Sequence, residues 1–214
     1  MRVNQAQDEH MSTPRILPVM SSENVLFPGM LLPLYVRRAS HVRLVSDCLD
    51  SHGELGMVLE LDDSSQQVGT IAKIIDYQPQ DGGEMTLLVT GTERFTIAET
   101  TCDEPYTKAL IAPYPFLDTM SKEELDDCAE QVRRLFNNCV KLIAAQRGSE
   151  SQGVIALPEQ TNDLGWTIAS ALSIPPLERQ RLLEKESPAS LLQSEIVYLE
   201  SLLSELREQN SMES

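Results

Sequence analysis

The chain has 214 residues, 41% of them hydrophobic but only 5% aromatic, and a formal net charge of −16. That length suits one large domain or two small ones around a mostly aliphatic core. Basic residues number 8 against 17 acidic up to residue 120, and 9 against 16 beyond it. Neither part is a basic module, which argues against nucleic acid and anionic membrane as partners.

The opening M-R-V-N-Q-A-Q-D-E-H lacks the apolar stretch of a signal peptide, and no run is long enough to span a membrane. The expectation is a cytoplasmic protein. None of Cys48, Cys102, Cys128 and Cys139 forms a C-x-x-C pair, so they read as reduced core residues rather than zinc ligands.

Ile16–Met20 and Leu32–Val36 are short apolar runs with the character of strands. Between them lies an apolar loop, Val25-Leu26-Phe27-Pro28-Gly29-Met30. Arg37, Arg38, His41 and Arg43 form a local basic cluster, read as a solvated turn and first helical turn. Val42, Leu44, Val45, Cys48 and Leu49 recur at helical spacing, with Ser40 placed to cap their start. Strands are expected at Glu54–Leu61 and Gly69–Tyr77, separated by a polar loop at Asp62–Gln67. Further strands fall at Glu84–Thr90 and Arg94–Ala98, with a turn at Gly91 between them, and at Tyr106–Ala112. Short strands with frequent turns indicate a barrel or a strongly bent sheet.

The second half is helical. Ser121-Lys122-Glu123-Glu124 has the form of a capping box. It leads into a stripe of Leu125, Cys128, Val132, Leu135, Phe136, Cys139, Leu142 and Ile143, ending near Gly148. A helix from about Pro158 to Leu172 carries Trp166. Pro175 and Pro176 open another, and Ser187-Pro188 opens the last, with a stripe of Leu192, Ile196, Leu199, Leu203 and Leu206. The fold class is therefore α+β: a barrel-like antiparallel β domain with one inserted helix over residues 14–116, then a helical bundle over 120–207. Gly148–Gly153 is the best internal boundary, and residues 1–13 and 208–214 have a frayed character.

Catalytic signatures are missing from the sequence. There is no phosphate-binding G-x-x-x-x-G-K-[ST], no G-x-S-x-G and no H-E-x-x-H. His10, His41 and His52 have no metal-ligand spacing. Asp62-Asp63 and Asp126-Asp127 are neighbours that point apart on a regular element. The reading is no catalytic residue, no metal and no cofactor.

Two features are candidates for binding. One is the loop at Leu26, Phe27, Pro28 and Met30, which either lines an apolar groove or plugs one end of the barrel. On the groove reading Met30→Asp leaves the melting temperature nearly unchanged but weakens client binding. The other is Arg94, either a ligand contact or a partly buried ion pair pinning a turn.

Several residues in order resemble the N-terminal domain of the Lon family of ATP-dependent proteases. They are Pro18, Val25-Leu26-Phe27-Pro28-Gly29, Pro33-Leu34, Gly56-Met57-Val58, Gly69-Thr70-Ile71-Ala72 and Gly91-Thr92-Glu93-Arg94-Phe95. In the helical half Trp166-Thr167-Ile168-Ala169-Ser170, Leu172 and Glu178–Glu184 are similar to the region that follows the barrel. The resemblance spans roughly residues 16–206. It implies a barrel related to PUA modules plus a helical bundle, and a part in substrate recognition and hexamer assembly with no hydrolysis of its own. The chain stops where a linker to the ATPase would begin. The expectation is thus a stand-alone, non-catalytic bacterial module, with any protease or ATPase partner on another chain.

On this basis the leading expectation is a module that binds unfolded or apolar protein segments, as an adaptor in proteolysis. The alternatives are a small-molecule binder using the same groove and a cryptic enzyme.

Overall fold

The computed structural model describes residues 14–61, 64–102, 105–117, 120–146 and 156–212. The first thirteen residues, Asp62-Asp63, the Gly148–Gly153 boundary and the last two residues lie outside the described residues, while positions 208–212, expected to fray, continue the last helix. The chain divides into two compact units. One holds the described residues up to Pro115 together with Ile174–Glu184, and the other holds Phe116–Ser173 and the chain from Lys185 on.

In the first unit the strands are β1 (Arg15–Ser22), β2 (Leu31–Val36), β3 (Glu54–Leu61), β4 (Ser64–Pro79), β5 (Met85–Cys102) and β6 (Lys108–Pro113). They form one sheet in the order β2-β5-β4-β3-β1-β6, and β6 also pairs with β5. The sheet therefore closes on itself through β5, β4, β3, β1 and β6, while β2 hangs on the first half of β5 as an edge. The eighteen residues of β5 make this possible. Its start, Met85–Thr90, pairs with β2, and its end, Phe95–Cys102, pairs with β6.

The expected antiparallel arrangement needs one correction, because β1 and β3 run parallel, with Val19 opposite Gly56. The chain between them passes through β2 and helix α1 (Ala39–Leu49), a crossover of the length that parallel pairing requires. Helix α1 buries Leu44, Val45 and Cys48 against Met20, Leu55, Leu87 and Val89. Its N-cap is Arg38 without a side-chain cap bond, so Ser40 lies inside the first turn instead of capping it. Burial raises the Cys48 thiol pKa to about 11, which keeps it a small protonated hydrophobe.

A second apolar cluster gathers Leu17, Val19, Val58, Ile71, Phe95, Ala109 and Ile111. Phe95 is 1% exposed. A Cβ at Gly56 or Gly69 would stand 2.9 or 2.7 Å from the tip of its ring. Those two glycines leave the room that the ring fills.

Gly91 is not a turn. It lies inside β5, and a Cβ there would sit 2.1 Å from the carbonyl oxygen of Phe27. The residue is glycine because another stretch of backbone touches it. The Gln67 end of the expected polar loop is likewise strand, within β4.

In the second unit α2 (Lys122–Gln146), α3 (Thr161–Ala171) and α5 (Pro188–Met212) pack together. The capping box forms at α2. The Glu124 amide donates to Ser121 Oγ at 3.4 Å, and the Ser121 amide donates to Glu124 Oε2 at 3.3 Å. At α5, Ser187 Oγ accepts from the Ser190 amide at 3.2 Å. The remaining helix, α4 (Pro176–Leu183), groups with the sheet, whereas the sequence boundaries put it in the 120–207 bundle. Its buried Gln180, Leu182 and Leu183 are matched to the barrel as described below.

Replacing Gly91 by alanine forces backbone against backbone, a strain of about 1–3 kcal/mol or more by analogy with overpacked cores. Urea unfolding of Gly91→Ala should show a lowered midpoint with an unchanged slope. Gly82→Ala is the control at an open glycine of positive φ (90°) with nothing within 4 Å. It should cost about 1–2 kcal/mol, the strain of an L residue at positive φ, and less than Gly91→Ala, which adds the clash. Equal losses would contradict the contact.

Candidate functional site

The apolar loop is closed down onto the barrel. Met30 donates its amide to the Phe27 carbonyl at 3.1 Å, with Gly29 at φ 75°. This is the turn that Pro-Gly at the two central positions favours. Gly29 then donates to the Gly91 carbonyl and Gly91 donates to the Met30 carbonyl, both at 2.9 Å. Thr70 Oγ1, itself buried, donates to the Leu26 carbonyl at 2.6 Å. These bonds tie the loop's backbone down, and Val25, Leu26 and Phe27 turn inward.

Leu26 is 2% exposed and Phe27 is 0% exposed. Pro28 and Met30 are half-buried and Gly29 is exposed. Helix α4 supplies the cover. The Arg179 guanidinium lies 4.8 Å from the Phe27 ring centroid, and its Nη2 is 3.6 Å from the Met30 sulfur. Burial lowers the Arg179 pKa. Of the five sequence candidates, Phe27, Met30 and Arg94 thus meet α4, and Leu26 and Phe27 offer no surface. Met30 packs against the apolar cluster of α1, so its half-buried side chain takes part in the packing.

Arg94 is buried at 5% exposure. Its Nη1 donates to the Leu183 carbonyl at 2.7 Å, and its guanidinium lies 4.8 Å from the Tyr114 ring centroid. Tyr114 donates its hydroxyl to the Glu184 carbonyl at 3.0 Å. These are carbonyls of the last turn of α4, which have no partner inside a helix. Arg94 and Tyr114 cap them, and the cation suits the negative end of the helix. Burial lowers the Arg94 pKa to about 10, which leaves it charged at neutral pH. Gln180 adds a third tie, its Nε2 donating to the Val68 carbonyl at 3.0 Å and to Glu184 Oε1 at 2.8 Å. Sequence reading missed Arg179 and Gln180, because a short polar segment, P-L-E-R-Q-R-L-L, carries no periodic signal.

The exposed apolar surface of this unit is elsewhere, on the outer face of β2, β5 and β4. Leu31 is 59% exposed, Tyr35 50% and Ile75 53%, and Pro33 is exposed between them. Pro33 stands opposite Leu88 of β5. On the far side of Leu88 the register shifts, with Asp76 opposite it and Ile75 the extra residue. A row of Pro33, Leu88 and Ile75 thus crosses three strands, with Leu31–Thr90 above and Tyr35–Thr86 below. The Tyr35 hydroxyl donates to the Glu84 carboxylate, and the Arg37 guanidinium lies 4.6 Å from its ring centroid. The signal was in the sequence: L-L-P-L-Y-V is apolar at every position, whereas a strand with one wet face alternates.

The free edge of β2 is poorly suited to strand addition. With Met30 and Gly91 as a bonded pair, alternation assigns the amides of Leu32 and Leu34 to β5 and turns position 33 outward. Proline there has no donor.

The basic cluster is neutralised locally. Arg38 lies 3.9 Å from Glu60 and Arg43 3.1 Å from Asp47. In the second unit a cleft of about 690 Å³ opens between α2 and α5, walled by Leu135 and Leu203 and rimmed by Asn138, Arg207 and Glu208. Among the described residues no group of three or more His, Cys, Asp or Glu is placed to hold a metal ion. No described helix is long and apolar enough to cross a membrane.

Residues 16–201 match the model of the ATP-dependent protease La (LON) substrate-binding domain. A Lon protease of Cytophaga hutchinsonii is 28% identical over 84% of the chain, and one of Rhizobium meliloti 27% identical over 95%. The chain spans about a quarter of the length of these relatives, 23% and 26%. Among solved structures, the N-terminal domain of Mycobacterium avium complex Lon protease superposes with a TM-score of 0.70 at 18% identity, covering 87% of this chain and 98% of that one. A Lon N-terminal domain protein from Xanthomonas campestris gives 0.63 at 23% identity, covering 84% and 96%. These likenesses show a shared fold.

Phe27→Ala should cost about 3–5 kcal/mol of stability, the usual loss for emptying a core phenylalanine. Met30→Asp should also lower the unfolding midpoint, because its side chain lies between Arg179 and the α1 cluster. Thermal unfolding followed by circular dichroism decides both. A wild-type midpoint for Met30→Asp would restore the loop as surface.

Proposed function

The chain belongs to the family of the ATP-dependent protease La (LON) substrate-binding domain, and from that membership we infer that it is a non-catalytic module that binds protein segments for proteolysis. The family model that matches is that of the substrate-binding domain, and the chain spans about a quarter of the length of its relatives. The segments it takes are unfolded and apolar, and it acts as the recognition element for a Lon-type protease.

The single observation that carries this reading is the outer face of β2, β5 and β4. Leu31, Pro33, Tyr35, Ile75 and Leu88 make an apolar band across three strands, with three of them at least half exposed. Contiguous exposed apolar patches of this kind mark interaction sites. The Phe27 loop supports the band from behind: it fixes where β2 begins. Binding therefore runs through side chains on the face of the sheet, since Pro33 interrupts the donors along its edge.

Fluorescence anisotropy with a labelled, reduced and carboxymethylated protein as client tests the reading. Leu31→Asp and Tyr35→Asp should each weaken binding about tenfold or more. Each removes a contact worth roughly 1.5–3 kcal/mol, and about 1.4 kcal/mol is a factor of ten. Their melting temperatures should stay near wild type, because both side chains are exposed. Affinity should persist in 0.5 M salt, where the Debye length falls to a few ångströms. Unchanged affinity in both variants, or loss of binding in salt alone, would defeat the proposal.

A further inference from the structure

The stripe of α5 is interrupted by an acid. Leu191, Leu192, Leu199, Leu203 and Leu206 are all buried, and Glu195 lies among them at 0% exposure. Neither carboxyl oxygen has a hydrogen-bond partner among the described residues. One turn earlier α3 and α5 pack as closely as they can, since a Cβ at Gly165 would stand 2.7 Å from Leu191 Cδ2. The carboxyl thus lies buried in the contact between two helices of one unit.

No described cation acts on it, since burial and the Ala169 backbone alone shift its pKa. The ionisable residue of α3 is Asp163, exposed in the first turn. On α2, Cys139 donates its thiol to the Leu199 carbonyl at 3.7 Å, and Arg133 donates to the Pro158 and Glu159 carbonyls. On α5 itself the flanking acid, Glu200, is exposed, and Arg207 acts on Cys139. None of these makes an ion pair with Glu195. A buried charge without a partner costs so much that the group takes a proton instead.

We propose that Glu195 is a proton-binding site in the α3–α5 contact, and that losing its proton loosens α3 from α5. Burial pushes its pKa well above the ordinary carboxylate range, and the Ala169 backbone opposes this only in part. The sign follows from linkage. A group whose folded pKa is raised contributes stability that is fully present below its unfolded value, about 4.3 for glutamate. That contribution is lost as pH rises through the folded value. The helical unit is therefore tightest in mild acid and loosens toward alkaline pH.

The protein carries its own reporter. Trp166 is the sole tryptophan. It lies on α3 at 6% exposure, stacked on Phe116 with ring centroids 5.0 Å apart. Urea unfolding of the full chain, followed by Trp166 emission from about pH 5 to 9, tests the proposal. Wild type and Glu195→Gln should have similar midpoints at the acid end and diverge as pH rises, with Glu195→Gln the more stable. Glu195→Met should reproduce this without an amide to satisfy. Parallel curves for wild type and both variants would overturn the proposal. So would variants less stable than wild type at alkaline pH, because that outcome requires an ionised Glu195 with a partner.

Discussion

Two backbones touch at Gly91, and most of the first unit depends on that contact. The Phe27–Met30 turn is bonded to Gly91 in both directions, with no room for a Cβ between them. The contact fixes the point at which the chain enters β2, and through the β2–β5 register it fixes which side chains of β2 face outward. It also presents the Phe27 ring to Arg179 of α4. Arg94, three residues further along β5, then holds the other end of that helix by its last carbonyls. A short polar helix with no apolar stripe is kept in place by capping and cation–ring contact rather than by hydrophobic burial alone.

The same constraint separates structure from surface. Phe, Leu and Met spent on a loop suggest a place where something binds, and in this chain they are consumed by the barrel itself. What they leave exposed is the opposite face of β2, where every second residue is apolar without need of the core. A flat apolar face with a proline at its edge makes few demands on the hydrogen-bonding pattern of a partner. Apolar pockets discriminate weakly between similar groups, whereas buried polar groups reject anything that leaves them unpaired. A module that takes many unfolded chains gains from the first property and is hampered by the second, which fits the side-chain route proposed for this face.

Much of this was readable from residue patterns. Strand positions, the capping box at Ser121 and the apolar stripes of α2 and α5 follow from periodicity and local chemistry, and both survive tertiary packing. The parallel β1–β3 pair was not readable, because pairing direction depends on where a crossover returns. Gly91 reads as a turn because glycine has two uses, conformational freedom and close approach, and one sequence does not tell them apart. The placement of α4 was hidden for a related reason. Its ties are Arg94, Tyr114, Gln180 and Arg179, four polar contacts between residues far apart in the chain. The α5 stripe did contain a warning. Glu195 falls three residues after Leu192 and four before Leu199, where periodicity demands an apolar side chain, and a stripe traced through Ile196 passes beside it.

Gln180 and Glu195 make an instructive contrast, since both are polar and almost wholly buried. Gln180 uses its amide to join β4 to the end of α4, so its burial secures a particular placement of that helix. Glu195 makes no such tie: the Ala169 backbone lies against it, but neither carboxyl oxygen has a bonded partner among the described residues. Replacing such a group by a leucine of similar reach generally gains stability, because an unpaired polar group is dearer to bury than an apolar one. Packing alone therefore gives no reason for an acid in the α5 stripe. A proton does: it converts the costly group into a tolerable one, and only under conditions set by the surroundings. Stability in the α3–α5 contact is then not a fixed property of the fold but a quantity the solvent can adjust.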